Sequence, residues 1–77
     1  MDEYRPLQQY LERCEGQTVT LTYEQMESII GDKLPMSAHK YTAWWANGGH
    51  YYAESWLSVG WKVDKARFSE SVAFKEQ

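Results

Sequence analysis

Thr18-Val19-Thr20-Leu21 decides how this 77-residue chain has to be put together. The segment alternates polar and apolar residues and is rich in β-branched side chains, the pattern of a strand that turns Val19 and Leu21 toward a core. It is too short to stand alone, so a later segment must pair with it. Two candidates lie near the C-terminus. Trp61-Lys62-Val63-Asp64 alternates, its phase slips before Phe68 as a bulge or bend would make it, and Val72 and Phe74 alternate in turn. Ser69-Glu70-Ser71 is the expected hairpin connection, without the Asn-Gly or Asp-Gly of the strongest turns.

Outward from that strand the chain reads as helices. Pro6 suits the first position of a helix, because its missing N–H is one the helix cannot use. Leu7, Tyr10 and Leu11 follow at helical spacing, which predicts a first helix from Pro6 to Cys14. Thr22 with Gln25 forms a capping-box pattern, and Leu21 is placed to staple onto Met26. The second helix therefore starts at once; Met26, Ile29 and Ile30 form its apolar stripe and Gly31 terminates it. Ser37 is the expected cap of a third helix in which Ala38, Tyr41, Trp44 and Trp45 recur, ended by Asn47-Gly48-Gly49. A fourth helix is expected from His50 to Val59, with Gly60 as its left-handed terminator.

Helix, strand, helix, helical region, strand, strand is the order of winged helix-turn-helix domains. The expectation is thus an α+β fold, a small winged-helix-like domain with three to four short helices and a three-stranded antiparallel sheet. The length admits a single domain over residues 1–77. A chain this short buries only about 60% of the surface it exposes when unfolded, so each large apolar side chain matters. An aromatic content of 16% supplies that burial and argues against disorder.

The single cysteine, Cys14, has no internal disulfide partner, and His39 and His50 stand at no metal-ligand spacing, so neither a metal nor another cofactor is expected. No basic and apolar leader opens the chain and no eighteen apolar residues run together, which points to a cytoplasmic protein without a membrane span. Phosphate loops, zinc-protease helices and nucleophile elbows are missing. Cys14, Ser37 and the histidines form no nucleophile-and-base pattern, so an enzyme is not expected.

Charge is unevenly placed. Residues 1–32 hold seven carboxylates against Arg5 and Arg13; residues 33–77 hold six basic groups against four acids, within a net charge of −3. Lys62, Lys65 and Arg67 on the hairpin, with His39 and Lys40 on the exposed side of the third helix, are expected to make a local positive surface. Screening at physiological salt confines such interactions to about 8 Å, so a local patch can outweigh the negative total.

Trp44, Trp45, Trp56 and Trp61 fall within eighteen residues. Most of these rings are core, where a small domain needs area. Neighbours on a helix point about 100° apart, so one of Trp44 and Trp45 is expected to border a surface groove, and Trp45 is taken as the candidate. Ser37, His39, Lys40 and Asn47 bracket this helix and complete the candidate nucleic-acid site. For Ser37 a cap role competes, and for Asn47, whose carboxamide suits adenine, a helix-terminating role competes.

The stretch LPMSAHKYTAWWANGGH followed by AESWLSVGWKV resembles a small bacterial and phage domain family of unknown function. Its Leu-Pro-x-Ser-Ala segment falls on Leu34 to Ala38, its Trp-Trp-x-Asn segment on Trp44 to Asn47, and its Trp-x-x-x-Gly-Trp-x-Val segment on Trp56 to Val63. Tyr4-Arg5-Pro6-Leu7 and Val19 to Gly31 also fit. His39 stands where relatives often carry arginine, which weakens a phosphate-binding role inherited from that position. The resemblance implies no biochemical activity.

Two functions are therefore carried forward. The first is a DNA-binding or transcription-regulating module, with the third or fourth helix in the major groove and Lys62, Lys65 and Arg67 on phosphates. The second is a protein-interaction module, such as a phage or mobile-element inhibitor that occupies a site on a host protein.

Overall fold

The strand at Thr18 finds its partner in the C-terminal hairpin. A computed structural model of the chain describes residues 3–48 and 50–77. Helix α1 (Arg5–Arg13) leads into β1 (Thr18–Thr22), which passes directly into α2 (Tyr23–Ile30). After α3 (Met36–Lys40), a 3-10 turn (Thr42–Trp45) and a second one (Tyr51–Ala53), the short α4 (Glu54–Leu57) precedes β2 (Trp61–Arg67) and β3 (Ser71–Glu76). The three strands form one antiparallel sheet in the order β1-β3-β2. The α+β architecture with a three-stranded antiparallel sheet is as expected.

Local sequence accounts for the sharp junctions. At the β1–α2 corner the Gln25 N–H donates to Thr22 Oγ1 at 3.0 Å while the Thr22 N–H donates to Gln25 Oε1 at 2.8 Å, so two amides that the helix leaves unbonded are satisfied reciprocally. Gly31 ends α2 in the left-handed region at φ 75°, its N–H reaching the Glu27 carbonyl at 2.9 Å. Gly60, at φ 89°, turns the chain from α4 into β2. Helix α1 has Pro6 in its first turn, buries Leu7 and Leu11, and lies one residue earlier at each end than its spacing predicts.

The predicted phase slip is a bulge between Val63 and Lys65. It restores the alternation, so that Trp61, Val63 and Ala66 face the core while Lys62, Lys65 and Arg67 face outward. The hairpin turn spans residues 68–70, one residue earlier than expected, with the Glu70 N–H on the Arg67 carbonyl at 2.9 Å. Ser69 takes the left-handed conformation at φ 58° that such a turn requires and that glycine would adopt more readily.

Two expectations about the middle of the chain are corrected. The third helix does not run from a Ser37 cap through Trp45. Pro35 occupies the cap position, Ser37 lies inside α3 with its carbonyl accepting from the Tyr41 N–H at 3.0 Å, and Tyr41 breaks the helix in an extended conformation (φ −122°, ψ 124°). The chain then tightens into the 3-10 turn, and this change of direction buries both indoles, leaving Trp44 8% and Trp45 3% exposed. A continuous helix would have turned one of them to solvent; the burial of two large rings outweighs a few more helical hydrogen bonds. Similarly, the stretch expected as one helix from His50 to Val59 is a 3-10 turn followed by α4 alone. Of the expected terminator Asn47-Gly48-Gly49, Gly49 lies outside the described residues.

The helices cover one face of the sheet, and the core lies between. Leu11, Met26, Ala38, Ala53, Val72 and Phe74 are fully buried there, and Trp56 sits against Phe74 with ring centroids 5.8 Å apart. Trp44 stacks on Tyr52 at 4.3 Å and meets the edge of Tyr4 at 5.8 Å.

Candidate nucleic-acid interface

The outer face of the sheet follows from the strand registers. Thr18, Lys75 and Lys62 lie across one rung, Thr20, Ala73 and Lys65 across the next, and Thr22, Ser71 and Arg67 across the third. Every large apolar side chain of the three strands points the other way, so this face carries hydroxyls, one small alanine and four cations. Lys62 and Lys75 are direct cross-strand neighbours, an arrangement that by itself is mildly destabilising. Among the described residues none of the four cations has an ion-pair partner. Asp64 occupies the bulge, outside the three rungs.

The small Ala73 side chain leaves a depression of about 260 Å³ lined by Thr20, Lys65, Arg67, Ser71 and Ala73. Two hydroxyls and two cations around a shallow hollow can receive an anionic oxygen cluster by charge-assisted hydrogen bonds. Among the described residues no aromatic ring lies on the face, so it offers no platform on which bases would stack.

The structure sorts the sequence-derived candidates into three groups. Lys62, Lys65 and Arg67 come together as expected, joined by Lys75, which alternation along β3 places on the same face and which the sequence reading left out. The signal for Lys75 was available in its two-residue spacing from Ala73 and Ser71. Trp44, Trp45 and Trp56 lie in the helical layer and Trp61 points inward from β2, so the indoles are on the far side of the sheet from these cations.

Ser37, His39 and Lys40 form a second group on α3. Lys40 is exposed at the helix end. His39 is committed to the fold: its Nδ1 shares a 2.8 Å hydrogen bond with Ser69 Oγ, and its ring lies 4.8 Å from that of Tyr23. It ties α3 to the hairpin turn and so sets the helix beside the Arg67 end of the cationic face.

Trp45 and Asn47 are structural. Trp45 Nε1 donates to the Ala38 carbonyl at 3.0 Å and to Tyr23 Oη at 3.1 Å, and Tyr23 Oη donates to the same carbonyl at 2.8 Å. The expectation of a groove-lining Trp45 is therefore corrected, because its polar atom and its ring are both spent inside. Asn47 Oδ1 accepts from the Val63 N–H at 2.7 Å and from Trp56 Nε1 at 3.1 Å, while Nδ2 donates to the Val63 carbonyl at 2.9 Å. Its carboxamide pairs with the edge of β2 as another strand's peptide would. That leaves it no free donor–acceptor pair for a base edge.

The remaining polar chemistry is quiet. Burial pushes the Cys14 thiol up, and its Sγ donates to the Tyr10 carbonyl at 3.3 Å, so it stays protonated near neutrality. Burial, then the Glu3 carboxylate, holds the Tyr4 phenol above its ordinary range, and burial raises Tyr52 likewise. His50 Nε2 donates to the Ala43 carbonyl at 2.7 Å and its ring stacks on Tyr52. Among the described residues no three His, Cys, Asp or Glu side chains gather as a metal site, and no helix is long and apolar enough to cross a membrane.

A family model described as Domain of unknown function (DUF7662) matches residues 4–77. The chain belongs to this family. No curated protein and no solved structure matches it. Within DUF7662, then, the candidate site rests on this chain's own geometry: four cations on one sheet face, α3 beside them, and the tryptophans withdrawn into the core.

Proposed function

We propose that the domain is a duplex-DNA-binding module of winged-helix type, in which the outer face of β2 and β3 holds phosphates and α3 approaches the groove. The observation that carries this reading is the cationic face itself: Lys62, Lys65, Arg67 and Lys75 on neighbouring positions, unneutralised, around a hollow with hydroxyls. Element order and the β1-β3-β2 sheet, which resemble those of a winged helix with an added helical segment, support this reading, the β2–β3 hairpin standing for the wing. The His39–Ser69 bond keeps hairpin and α3 in one orientation. A rigid pair of this kind lets phosphate contacts fix the register in which a helix meets base edges. The absence of rings on the face favours duplex over single strands.

Fluorescence anisotropy of a labelled duplex, titrated at several salt concentrations, tests the reading. Four neutralised phosphates give a slope of log K against log salt of about −3 to −4. Lys65→Ala and Arg67→Ala should weaken binding to all sequences and flatten that slope by about one each. Absence of binding at about 50 mM salt, where such contacts are strong, overturns it.

A second reading, a protein-interaction module, has its own support. A groove of about 520 Å³ is lined by Glu27, Lys33, Leu34, Met36, His39 and Ser69, and Met36 is 68% exposed beside it. Lys62→Ala, outside this groove, should weaken DNA binding and leave a groove-bound protein partner unaffected, and this separates the two surfaces.

A further inference from the structure

The sheet has two edges, and the chain treats them differently. On β2 the first outward-facing peptide groups are covered: Asn47 takes both the N–H and the carbonyl of Val63, Gln77 Nε2 takes the Trp61 carbonyl at 3.0 Å, and a bulge interrupts the strand. On β1 less is covered among the described residues. The Tyr23 N–H bonds the Glu70 carbonyl and the Glu76 N–H bonds the Gln17 carbonyl, which fixes the alternation: Gln17, Val19, Leu21 and Tyr23 face β3. Thr18, Thr20 and Thr22 therefore present their peptide groups outward. The Thr22 N–H is taken by Gln25. The N–H and carbonyl groups of Thr18 and Thr20 face outward with no partner among the described residues.

We propose that this edge is the interface of a symmetric dimer, in which β1 pairs antiparallel with β1 of a second copy. One register satisfies all four open groups: Thr18 opposite Thr20 of the second copy, Thr20 opposite its Thr18, and Val19 on the two-fold axis. The edge is self-complementary in that register. It contains no charge, no proline and no bulge, so two copies meet without like charges across the axis, and the half-buried Val19 gains its own counterpart on the core side. A hollow of about 260 Å³, bounded by Leu21 of β1 together with Tyr10 and Ile29, adjoins the strand and supplies apolar surface beyond the backbone bonds. Each copy contributes the same patch, so the assembly closes at two. The six-stranded sheet so formed carries both cationic faces on one continuous surface, with the two β2 strands about 24 Å apart at the usual strand spacing.

The test needs no nucleic acid, so it stands apart from the DNA reading. Sedimentation equilibrium of the full chain across a wide concentration range should give a mass rising from 9.1 kDa to twice that value. Thr20→Pro removes an outward N–H that the chain's own sheet does not use, and Thr18→Lys sets a cation at the edge; each should remain at the monomer mass with unchanged far-UV circular dichroism. In the wild-type chain, amide exchange at Thr18 and Thr20 should slow several-fold or more at high concentration while exchange at exposed loops stays constant. A wild-type chain that is monomeric throughout overturns the proposal, as does a dimer that persists in the folded variants. Should Thr20→Pro fail to fold, the exchange rates of the wild-type chain decide alone.

Discussion

The two faces of one small sheet show how this chain divides stability from binding. Inward, Trp61, Leu21, Val72 and Phe74 meet the aromatic layer, and every indole N–H there for which a partner is found reaches a carbonyl, a hydroxyl or a carboxamide. Outward, the same strands set lysine opposite lysine with no acid between them. A chain selected for stability alone has no use for the second arrangement, since like charges placed directly across strands cost a few tenths of a kcal/mol or more. The lesson is one of separation: substitutions on one face should move folding and leave affinity alone, and the reverse should hold on the other.

The strongest challenge to that separation is Trp56→Ala. Trp56 is 1% exposed, packs on Phe74 and donates to Asn47, so its loss should cost about 3–5 kcal/mol and leave the domain largely unfolded in a urea titration followed by tryptophan fluorescence. Asn47→Ala should follow at about 1–3 kcal/mol, because Val63 and Trp56 lose their shared partner although water can reach the site. Asn47→Asp sharpens the point: it keeps the acceptor for the Val63 N–H and Trp56 Nε1 but sets a charged oxygen against the Val63 carbonyl, so it should destabilise at least as much.

Tyr4 probes the inner face by pH. Its folded phenol titrates above its ordinary value of 10.0, so below that pH both states are protonated and the full stability is present. As pH rises past it the unfolded chain ionises first and stability falls. Tyr4→Phe should flatten this alkaline loss, measured as the thermal midpoint against pH. The smallest effect belongs outside: Lys62→Ala should raise stability by a few tenths of a kcal/mol, or leave it unchanged, while lowering duplex affinity. A Lys62→Ala domain that unfolds more easily would break the comparison.

Much of this is legible in the sequence. Thr22 and Gln25 announced the α2 start, Gly31 its end, and the alternation from Trp61 onward both the outer cations and the bulge. These are local signals, and local chemistry decides them. What stayed hidden depended on tertiary packing. Helical spacing over Ala38, Tyr41, Trp44 and Trp45 is genuine, yet the break at Tyr41 arises because two indoles have separate places in the core, Trp44 on Tyr52 and Trp45 against Tyr23. Asn47 looked like a terminator because Asn before Gly usually is one; its partner Val63 lies sixteen residues on, beyond what spacing reveals. In the site, the cations of β2 and, by the same alternation, Lys75 were visible, whereas their meeting on shared rungs required knowing that β3 lies between β1 and β2.

The clasp of Asn47 on Val63 also bears on how the molecule ages. Asn47 precedes Gly48, the neighbour that least obstructs ring closure of a carboxamide onto the following backbone nitrogen, the route by which asparagine spontaneously becomes aspartate or isoaspartate. Ring closure requires the carboxamide to swing free, and three hydrogen bonds hold it. Deamidation at this dipeptide is therefore coupled to opening of the fold, and its slow accumulation in stored protein is a clock for how often β2 lets go.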